Sequence, residues 1–532
     1  MCWRRLSLML ALLGGAALRA ETLALSQPSD LAPWRAECGT WSIREGALLQ
    51  AEVDTGRTAL WLPGKAWADL DVSVEFFIHP VGAGVRAPGL IYRAGDQESY
   101  YYVHFDLKNL QVVWVRAAPG KEWTEARRHK VAGLKAGAWQ TARVVCQAAE
   151  HQVYLDGQLL FTEKDAALPG GVIGLRTGQG QVSFRNLRVE GTPYTLAAPF
   201  QVQVAPFSVV CADAGAGAYE AFPDVCRTPS GELLCVFYAG YGHVSVPTER
   251  LPKGARIALC RSRDDGRTWS PAETVVDSPI DDRDSSITQL SNGDLLVSYM
   301  SYDPKRTPGT HQVFTVRSTD QGRTWGEPQR VPTPFTANEA VSEPVRELPG
   351  GRLLLPVYGC LTEQPKPRYV SGLVESTDWG HTWRTLATVR SATYELCEPS
   401  LVRCPDGRLL MLIRPTMTWC ESADGGTTWT EPQPLPVEGD APYLLLTSKN
   451  VLLCGFRHRP TQSTCVISST DFGKTWSPRV TLDRVLGAYP SLVELADGRI
   501  LVVYYTEGAG SDIRCVFLQA EAAGVKVLAR QD

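Results

Sequence analysis

Ser262-Arg-Asp264-Asp-Gly266-Arg-Thr268-Trp269 decides the fold, because its pattern, S-x-D-x-G-x-T-W, occurs five times in the chain. The other copies lie at 318–325, 376–383, 422–429 and 469–476. They are about 46 to 58 residues apart, the spacing of propeller blades. Each copy has the chemistry of a tight turn, since the Asp can accept backbone N–H groups, the Gly can adopt φ > 0 and the Trp can pack on the blade. We therefore interpret the phrase as structural and not as the active site.

A second repeat accompanies the first. An apolar strand, a turn and another apolar strand recur six times, as around Pro405-Asp406-Gly407-Arg408-Leu409-Leu410. The turn residues of the six copies are Gly231, Gly293, Gly351, Gly407, Asn450 and Gly498. Six strand pairs and five turn phrases predict an all-β chain whose larger part, over roughly residues 200–525, is a six-bladed β-propeller.

Length, charge and cysteines limit the possible functions. The 532 residues leave room for two or three domains, and a net charge of −4 gives no indication of a nucleic-acid partner. Arg4 and Arg5 precede an apolar run, as in a cleaved export signal over residues 1–20, so we expect a secreted or periplasmic protein. No later apolar run is long enough to span a membrane. The cysteines lack metal-ligand spacing, so no metal or other cofactor is predicted, and Cys397 and Cys404 are the candidate disulfide pair.

Residues 21–190 are predicted to form a separate β-sandwich ahead of the propeller. Apolar and polar residues alternate over 70–78, as in a half-buried strand, and Asp156-Gly157 marks a hairpin. The strand order resembles the laminin-G or concanavalin-like sandwich (jelly roll) of secreted sugar-active enzymes. Its aromatic residues Trp61, Trp67 and Tyr92 either stack on sugar or lie in the core. Residues 191–206, with three prolines, are the predicted linker, and 207–532 the propeller.

The six turns also align the candidate site residues. Nine residues before the turns, at the start of each blade's innermost strand, stand Phe222, Asp284, Ser342 (beside Glu343), Glu398, Ala441 and Tyr489. Seven residues after the turns stand Tyr238, Met300, Tyr358, Arg414, Arg457 and Tyr505. Equivalent positions of a propeller surround one mouth of its channel. We therefore expect two carboxylates, a tyrosine and two arginines to meet around one cavity.

With these motifs the chain resembles the sialidase (neuraminidase) superfamily, whose propellers carry the same turn phrases, called Asp-boxes. The stretch from Glu398 to Arg414 is similar to the segment that supplies a catalytic Glu and one arginine of the carboxylate-binding triad. The segment around Tyr489 looks like the one that carries the Tyr nucleophile. Arg457 resembles another triad arginine, with Arg459 near enough to compete. The resemblance implies an exported exo-glycosidase that acts on a terminal acidic sugar of a glycan or glycoconjugate.

Two departures from the family pattern leave alternatives open. Sialidases open their first blade with Arg-Ile-Pro-like residues, whereas Ala221-Phe222-Pro223 stands there in this chain, so the first triad arginine is missing. The loop before the first Asp-box offers His243, Glu249 and Arg256 but no acid/base Asp. Arg283 and Asp284 are candidates to restore both functions. An alternative is a uronate-directed hydrolase or a lyase that uses His243 and Glu343. Another is a non-catalytic glycan-binding protein.

Overall fold

The computed structural model describes residues 21–52, 58–81, 85–119, 121–306, 310–361, 368–485, 487–507, 511–522 and 524–529. The export signal predicted over residues 1–20 lies outside this part of the chain. Within the described ranges, no helix is long and apolar enough to cross a membrane. The chain divides mainly between Val202 and Gln203 into two compact units. This division falls inside the segment predicted as a linker, while the domain limits themselves stay a prediction.

The first unit is a β-sandwich whose strands are hydrogen-bonded into one branched sheet of fourteen among the described residues. A short 3-10 helix, Pro28–Leu31, follows the first strand. The strands are β1 (Glu21–Leu23), β2 (Arg35–Cys38), β3 (Trp41–Arg44), β4 (Ala47–Gln50), β5 (Thr58–Ile78), β6 (Ala87–Ala94), β7 (Tyr100–Asp106), β8 (Gln111–Ala118), β9 (Lys121–Lys130), β10 (Trp139–Gln147), β11 (Glu150–Leu155), β12 (Gln158–Lys164), β13 (Gly171–Gly178) and β14 (Val182–Pro193).

Strand β5 connects the parts of this sandwich. Its first residues pair with β2, where Trp61 lies opposite Arg35, and its last residues pair with β10 on one side and β14 on the other. Val72, for example, lies between Val144 of β10 and Val189 of β14. Side chains alternate between buried and partly exposed over the second half of β5, as the sequence pattern predicts, so its apolar face forms part of the core.

The candidate sugar-stacking aromatics and the candidate disulfide pair both have other roles in the structure. Trp61, Trp67 and Tyr92 are 0%, 7% and 0% exposed, so stacking on sugar is wrong for all three and they belong to the core. They occupy inward-facing positions of strands that are covered by other strands. Cys397 and Cys404 are both free thiols, and every cysteine in the described part of the chain is free. The candidate pair Cys397 and Cys404 therefore forms no disulfide.

The second unit contains six four-stranded or five-stranded sheets, the blades of a propeller. The predicted six-bladed, all-β fold is confirmed. In chain order the strands are β15 (Ser208–Cys211); blade one, β16 (Tyr219–Arg227), β17 (Leu233–Gly240), β18 (Arg256–Ser262) and β19 (Glu273–Val276); blade two, β20 (Asp281–Gln289), β21 (Leu295–Tyr302), β22 (His311–Ser318) and β23 (Gln329–Arg330); blade three, β24 (Ala337–Ala340), β25 (Arg346–Leu348), β26 (Arg352–Cys360), β27 (Tyr369–Ser376) and β28 (Arg384–Val389); blade four, β29 (Cys397–Arg403), β30 (Leu409–Arg414), β31 (Thr418–Ser422) and β32 (Gln433–Pro434); blade five, β33 (Gly439–Leu446), β34 (Leu452–His458), β35 (Ser463–Ser469) and β36 (Val480–Asp483); blade six, β37 (Gly487–Glu494), β38 (Arg499–Thr506), β39 (Ile513–Glu521) and β40 (Gly524–Val527).

The ring closes by an exchange between the two ends of the propeller. Strand β15 precedes blade one in sequence, yet it pairs with β39 of blade six, with Ser208 opposite Cys515. The innermost strands β16 and β37 also adjoin each other, since the Val225 N–H donates to Ser491 Oγ at 3.1 Å. The first and last blades are therefore held together by hydrogen bonds as well as by apolar packing.

In blades one to five, an Asp-box forms the turn between the last two strands of the blade. In the first box, Ser262 Oγ donates to Asp264 Oδ1 at 2.8 Å and accepts from the Gly266 N–H at 2.9 Å. The N–H and hydroxyl of Thr268 donate to the two oxygens of Asp264, at 2.9 and 2.5 Å. Gly266 has φ of 84°, a left-handed conformation that favours glycine. These bonds recur in the other boxes and account for the repeated residues without a ligand.

Candidate active site

The site begins with a repeated irregularity of the innermost strands. In five blades the pairing with the next strand shifts register at one place, which is a β-bulge. The residues with positive φ at these bulges are Phe222, Asp284, Glu398, Ala441 and Tyr489, at 43–51°. In blade three the register shift lies at Asn338, whose φ is 51°, and the strand is then interrupted between Ala340 and Arg346.

The sequence provides a local cause for the bulges. Proline follows Phe222, Glu398, Ala441 and Tyr489, and proline has no N–H to donate to a ladder. A left-handed conformation of a bulky residue such as Tyr489 costs on the order of 1–3 kcal/mol, and such strain clusters at functional sites. The five bulge residues line one cavity at the channel, together with Ser342 and Glu343.

A tyrosine, a glutamate and an arginine are in mutual contact at this cavity. Tyr489 Oη donates to Glu398 Oε1 at 2.7 Å and accepts from Arg414 Nη1 at 2.5 Å. Arg414 Nη1 also donates to Glu398 Oε1. Burial and the neighbouring Glu398 carboxylate raise the pKa of Tyr489 well above its usual value. The phenol is therefore neutral at neutral pH, with its proton directed to a carboxylate.

Arg457 reaches the same tyrosine from blade five. Its guanidinium carbon lies 5.8 Å from the ring centroid of Tyr489, and that of Arg414 lies 5.9 Å from it. Arg457 Nε donates to Asp440 Oδ1 at 2.7 Å and Nη1 to the Gly487 oxygen at 3.0 Å. Asp440, only 4% exposed, also lies 4.0 Å from Arg414 and 3.8 Å from Arg459. It compensates the positive charge and fixes the positions of the arginines.

Asp284 and Arg283 occupy the blade-two side of the cavity. Arg283 Nε lies 3.7 Å from Asp284 Oδ1, and its Nη1 lies 3.8 Å from Asp281. Asp284 Oδ1 is buried and has no hydrogen-bond partner among the described residues. Burial raises the pKa of Asp284 to about 6, although the charge of Arg283 opposes this shift. The arginine also lies over the Phe222 ring, 5.6 Å from its centroid.

Glu343 lines the same cavity but has a different partner from the other carboxylates. It is 2% exposed, and its Oε2 accepts from Arg346 Nη2 at 2.9 Å. Burial raises the pKa of Glu343 to about 8, against the effect of Arg346. Asp224 lines the same cavity; it accepts from Ser491 Oγ at 2.5 Å and from the Ile287 N–H at 2.7 Å. These two bonds connect the inner strands of blades one, two and six.

His243 and Arg256, both from the stretch before the first Asp-box, have different surroundings. The His243 ring packs edge-on against Phe222, with 5.3 Å between centroids, and Phe222 in turn contacts Tyr489 at 5.2 Å. Arg256 Nη2 donates to the Ala214 oxygen at 2.5 Å. Among the described residues, no contact connects Arg256 with the tyrosine and glutamate of the site. The structure thus brings all the candidate residues to this cavity or its rim except Arg256.

The comparisons with known proteins agree with this architecture. Residues 255–502 match the family model described as a BNR repeat-like domain, and residues 25–190 match a 3-keto-alpha-glucoside-1,2-lyase-like domain. The propeller thus contains a BNR repeat-like domain. A solved sialidase, the Hadza microbial sialidase Hz136, is 16% identical, with a TM-score of 0.50 over 85% of this chain and 93% of that one.

A second solved structure is similar to part of this chain. It is a protein of unknown function from Dyadobacter fermentans, 22% identical, with a TM-score of 0.51 over 61% of this chain and 98% of that one. A search of curated protein sequences gave no match. At these identities the structural likeness shows the fold alone. The chemistry of this chain has to be argued from its own site.

Sequence reasoning missed three residues of this site. Asp440 directly precedes the bulge at Ala441, and it lies opposite Arg457 in the ladder. A comparison of the residues on both sides of each aligned position would have identified Asp440 from the sequence. Tyr219 and Glu507 lie at the rim, where Tyr219 Oη donates to Glu507 Oε1 at 2.7 Å. No motif marks either of them, because 288 residues separate the two partners.

Proposed function

We propose that this chain is an exported exo-glycosidase of sialidase type that hydrolyses the bond to a terminal acidic sugar. The observation that carries the proposal is the hydrogen bond from Tyr489 Oη to Glu398 Oε1, at 2.7 Å. A sugar with a carboxylate on its anomeric carbon repels an anionic nucleophile, whereas a neutral tyrosine avoids this repulsion. Sialidases are the glycosidases that use tyrosine in this way.

In the proposed first step, Tyr489 Oη bonds to the anomeric carbon while the glycosidic C–O bond breaks. The phenol proton passes to Glu398, and the leaving oxygen takes a proton from an acid at the rim. Arg414 touches both the phenol and the carboxylate, so its charge stabilises negative charge that develops on either oxygen. In the second step water attacks the anomeric carbon, the C–O bond to Tyr489 breaks, and the phenol recovers its proton.

Arg414 and Arg457 are the proposed ligands of the substrate carboxylate. Each uses Nη1 in a hydrogen bond within the protein, and within the described residues neither Nη2 has a hydrogen-bond partner. Two adjacent guanidinium groups with free N–H donors suit a carboxylate, which accepts two parallel hydrogen bonds. Ala221-Phe222-Pro223 stands where the family resemblance implies the third arginine, so the blade-one side of the proposed site presents the Phe222 ring and no guanidinium group.

The alternative chemistry that requires Glu343 has less support. Its carboxylate accepts a hydrogen bond from Arg346 and is almost inaccessible to solvent. His243 is accessible at the rim and remains a candidate for proton transfer.

A panel of aryl glycosides that includes sialosides, uronides and neutral sugars tests the proposed function. Turnover of an acidic sugar by the wild-type protein, with loss in Tyr489→Phe, is the expected result. A substrate that carries fluorine beside the anomeric carbon slows the second step, so mass spectrometry should locate the sugar on Tyr489. Binding of acidic glycans without turnover of any substrate would favour the glycan-binding alternative and refute the enzyme proposal.

A further inference from the structure

His243 is fixed at the rim of the cavity, one aromatic ring away from the proposed nucleophile. It follows β17 in the chain, and its side chain is 58% exposed. The centroid of the Phe222 ring lies 5.3 Å from that of His243 and 5.2 Å from that of Tyr489. A sugar bound against Phe222 would therefore have Tyr489 on one side and the imidazole near its solvent-facing side.

The hydrogen bonds around Glu507 determine which nitrogen of His243 carries the proton. Glu507 Oε1 accepts from Tyr219 Oη, and Oε2 accepts from Tyr505 Oη, each at 2.7 Å. Burial raises the pKa of Glu507, but the hydrogen bonds from Tyr219 and Tyr505 and the nearby His243 imidazole outweigh it, and the pKa is lowered. The carboxylate is thus ionised and can only accept, so both tyrosines must donate to it.

The single proton of the Tyr219 hydroxyl is therefore committed to Glu507. The contact of 3.2 Å between Tyr219 Oη and His243 Nδ1 must then have the imidazole as donor. In the neutral ring, Nδ1 carries the hydrogen and Nε2 has the free lone pair. The described residues offer no hydrogen-bond partner to Nε2. Glu507 Oε2 also lies 3.8 Å from Nδ1, so the Nδ1 side of the ring faces a carboxylate.

The charged groups that act on His243 come from three elements. Tyr219 of β16 and Glu507, which follows β38, contact it directly. Asp281 and Asp284 of β20 interact with its charge at longer range. Asp284 is the competing proton donor, but it is 8% exposed and lies within the cavity beside Arg283. The leaving group of an exo-glycosidase departs toward solvent, where the exposed imidazole can reach its oxygen.

We propose that His243 is the acid/base residue of the reaction, and that Tyr219 and Glu507 are positioning residues that hold its Nδ1. The proposal rests on the proposed glycosidase function. In the first step the imidazolium gives its Nε2 proton to the glycosidic oxygen as that C–O bond breaks. In the second step neutral Nε2 takes a proton from the attacking water, which restores the imidazolium while Tyr489 is released.

Leaving-group dependence tests this role directly. Two glycosides of one accepted sugar are compared, one with an acidic phenol, which leaves without protonation, and one with an alkyl alcohol, which does not. Because kcat/KM reports the first step alone, we expect kcat/KM of His243→Ala to fall on the order of 10²-fold or more with the alkyl glycoside, and less than about tenfold with the phenyl glycoside. Tyr241→Phe is the matched control in the same loop, since its hydroxyl bonds only the Val246 oxygen among the described residues. It should retain wild-type kcat on both substrates.

The positioning residues are tested by a spectroscopic measurement as well as by rate. With ¹⁵N-labelled protein, the neutral imidazole of His243 should show the Nδ1–H tautomer. In Glu507→Gln the amide can donate to Tyr219, which then donates to Nδ1, so we expect the Nε2–H tautomer and a lower kcat at nearly unchanged KM. Tyr219→Phe should lose the tautomer preference.

Several results would overturn the assignment. Equal losses of kcat/KM in His243→Ala on both glycosides, or no loss, exclude it as the acid. Leaving-group dependence in Asp284→Asn, with none in His243→Ala, transfers the role to Asp284. An Nε2–H tautomer in the wild-type protein refutes the hydrogen-bond chain. Failure of the glycosidase proposal is distinguishable, because wild type would then be inactive on both glycosides, or Tyr489→Phe fully active, whatever the tautomer is.

Discussion

Tyr489→Phe should reduce catalysis strongly and stability little. The change removes one hydroxyl, which donates to Glu398 at 2.7 Å and accepts from Arg414 at 2.5 Å. A hydrogen bond to a charged group contributes about 1.5–3 kcal/mol when its loss leaves a buried partner unsatisfied. Here Glu398 Oε1 keeps its bond to Arg414 after the change, so no new unpaired charge is created. We therefore expect the free energy of unfolding to change by less than about 1 kcal/mol.

The effect on rate follows from a different quantity. If the tyrosine forms the covalent bond, its removal leaves no group at the same place that can do so, and kcat should fall on the order of 10²-fold or more. A loss of that size corresponds to about 2.7 kcal/mol or more of transition-state stabilisation. The assay is steady-state turnover of an accepted aryl glycoside, together with urea unfolding of the same preparations.

Tyr504→Phe is a matched control from β38, the strand that pairs with the β37 strand of Tyr489. Tyr504 is fully buried, and its hydroxyl donates to Asp483 at 2.8 Å between β36 and β38. It should show the opposite pattern, with lower stability and unchanged kcat. The reasoning for Tyr489 would be refuted if its phenylalanine variant kept at least a tenth of wild-type kcat, or if activity and stability declined in parallel.

Three further predictions concern the substrate, acid stability and the domains. Arg414→Lys should raise KM for an acidic sugar at least tenfold in steady-state kinetics, because an ammonium group cannot reproduce two parallel hydrogen bonds; an unchanged KM contradicts this role. Hydrogen bonds from Thr428 lower the pKa of Asp424 from 3.8 to about 2, so its stabilising contribution is present above about pH 4 and is lost as pH falls toward 2; urea unfolding of Asp424→Asn should therefore depend less on pH than wild type over this interval. A chain that begins at Gln203 should fold and keep turnover of small aryl glycosides because it retains β15, whereas an insoluble or inactive product would show that the two units form one functional domain.

The repeats allowed the propeller to be predicted from sequence, because each Asp-box stabilises itself. The Ser, Asp, Gly and Thr of one box bond one another within a few residues, so the pattern needs no distant partner to be recognised. The same is true of the alternation along β5, which reports a half-buried strand directly. The aligned positions also predicted which residues meet at the channel, since symmetry of the blades converts equal offsets into a common location.

Only the tertiary structure decided what each of these residues contacts. Glu398 stands at the aligned position of its blade and Glu343 one residue after the aligned position of blade three. Yet Glu343 accepts from Arg346, whereas Glu398 accepts from Tyr489. The buried Asp440 and the link from Glu507 to Tyr219 depend on strands that are far apart in the chain. Local sequence determines turns and strand faces, because short-range hydrogen bonds and side-chain periodicity act there. The pairing of charges across a channel depends on the closure of the ring, which no local pattern encodes.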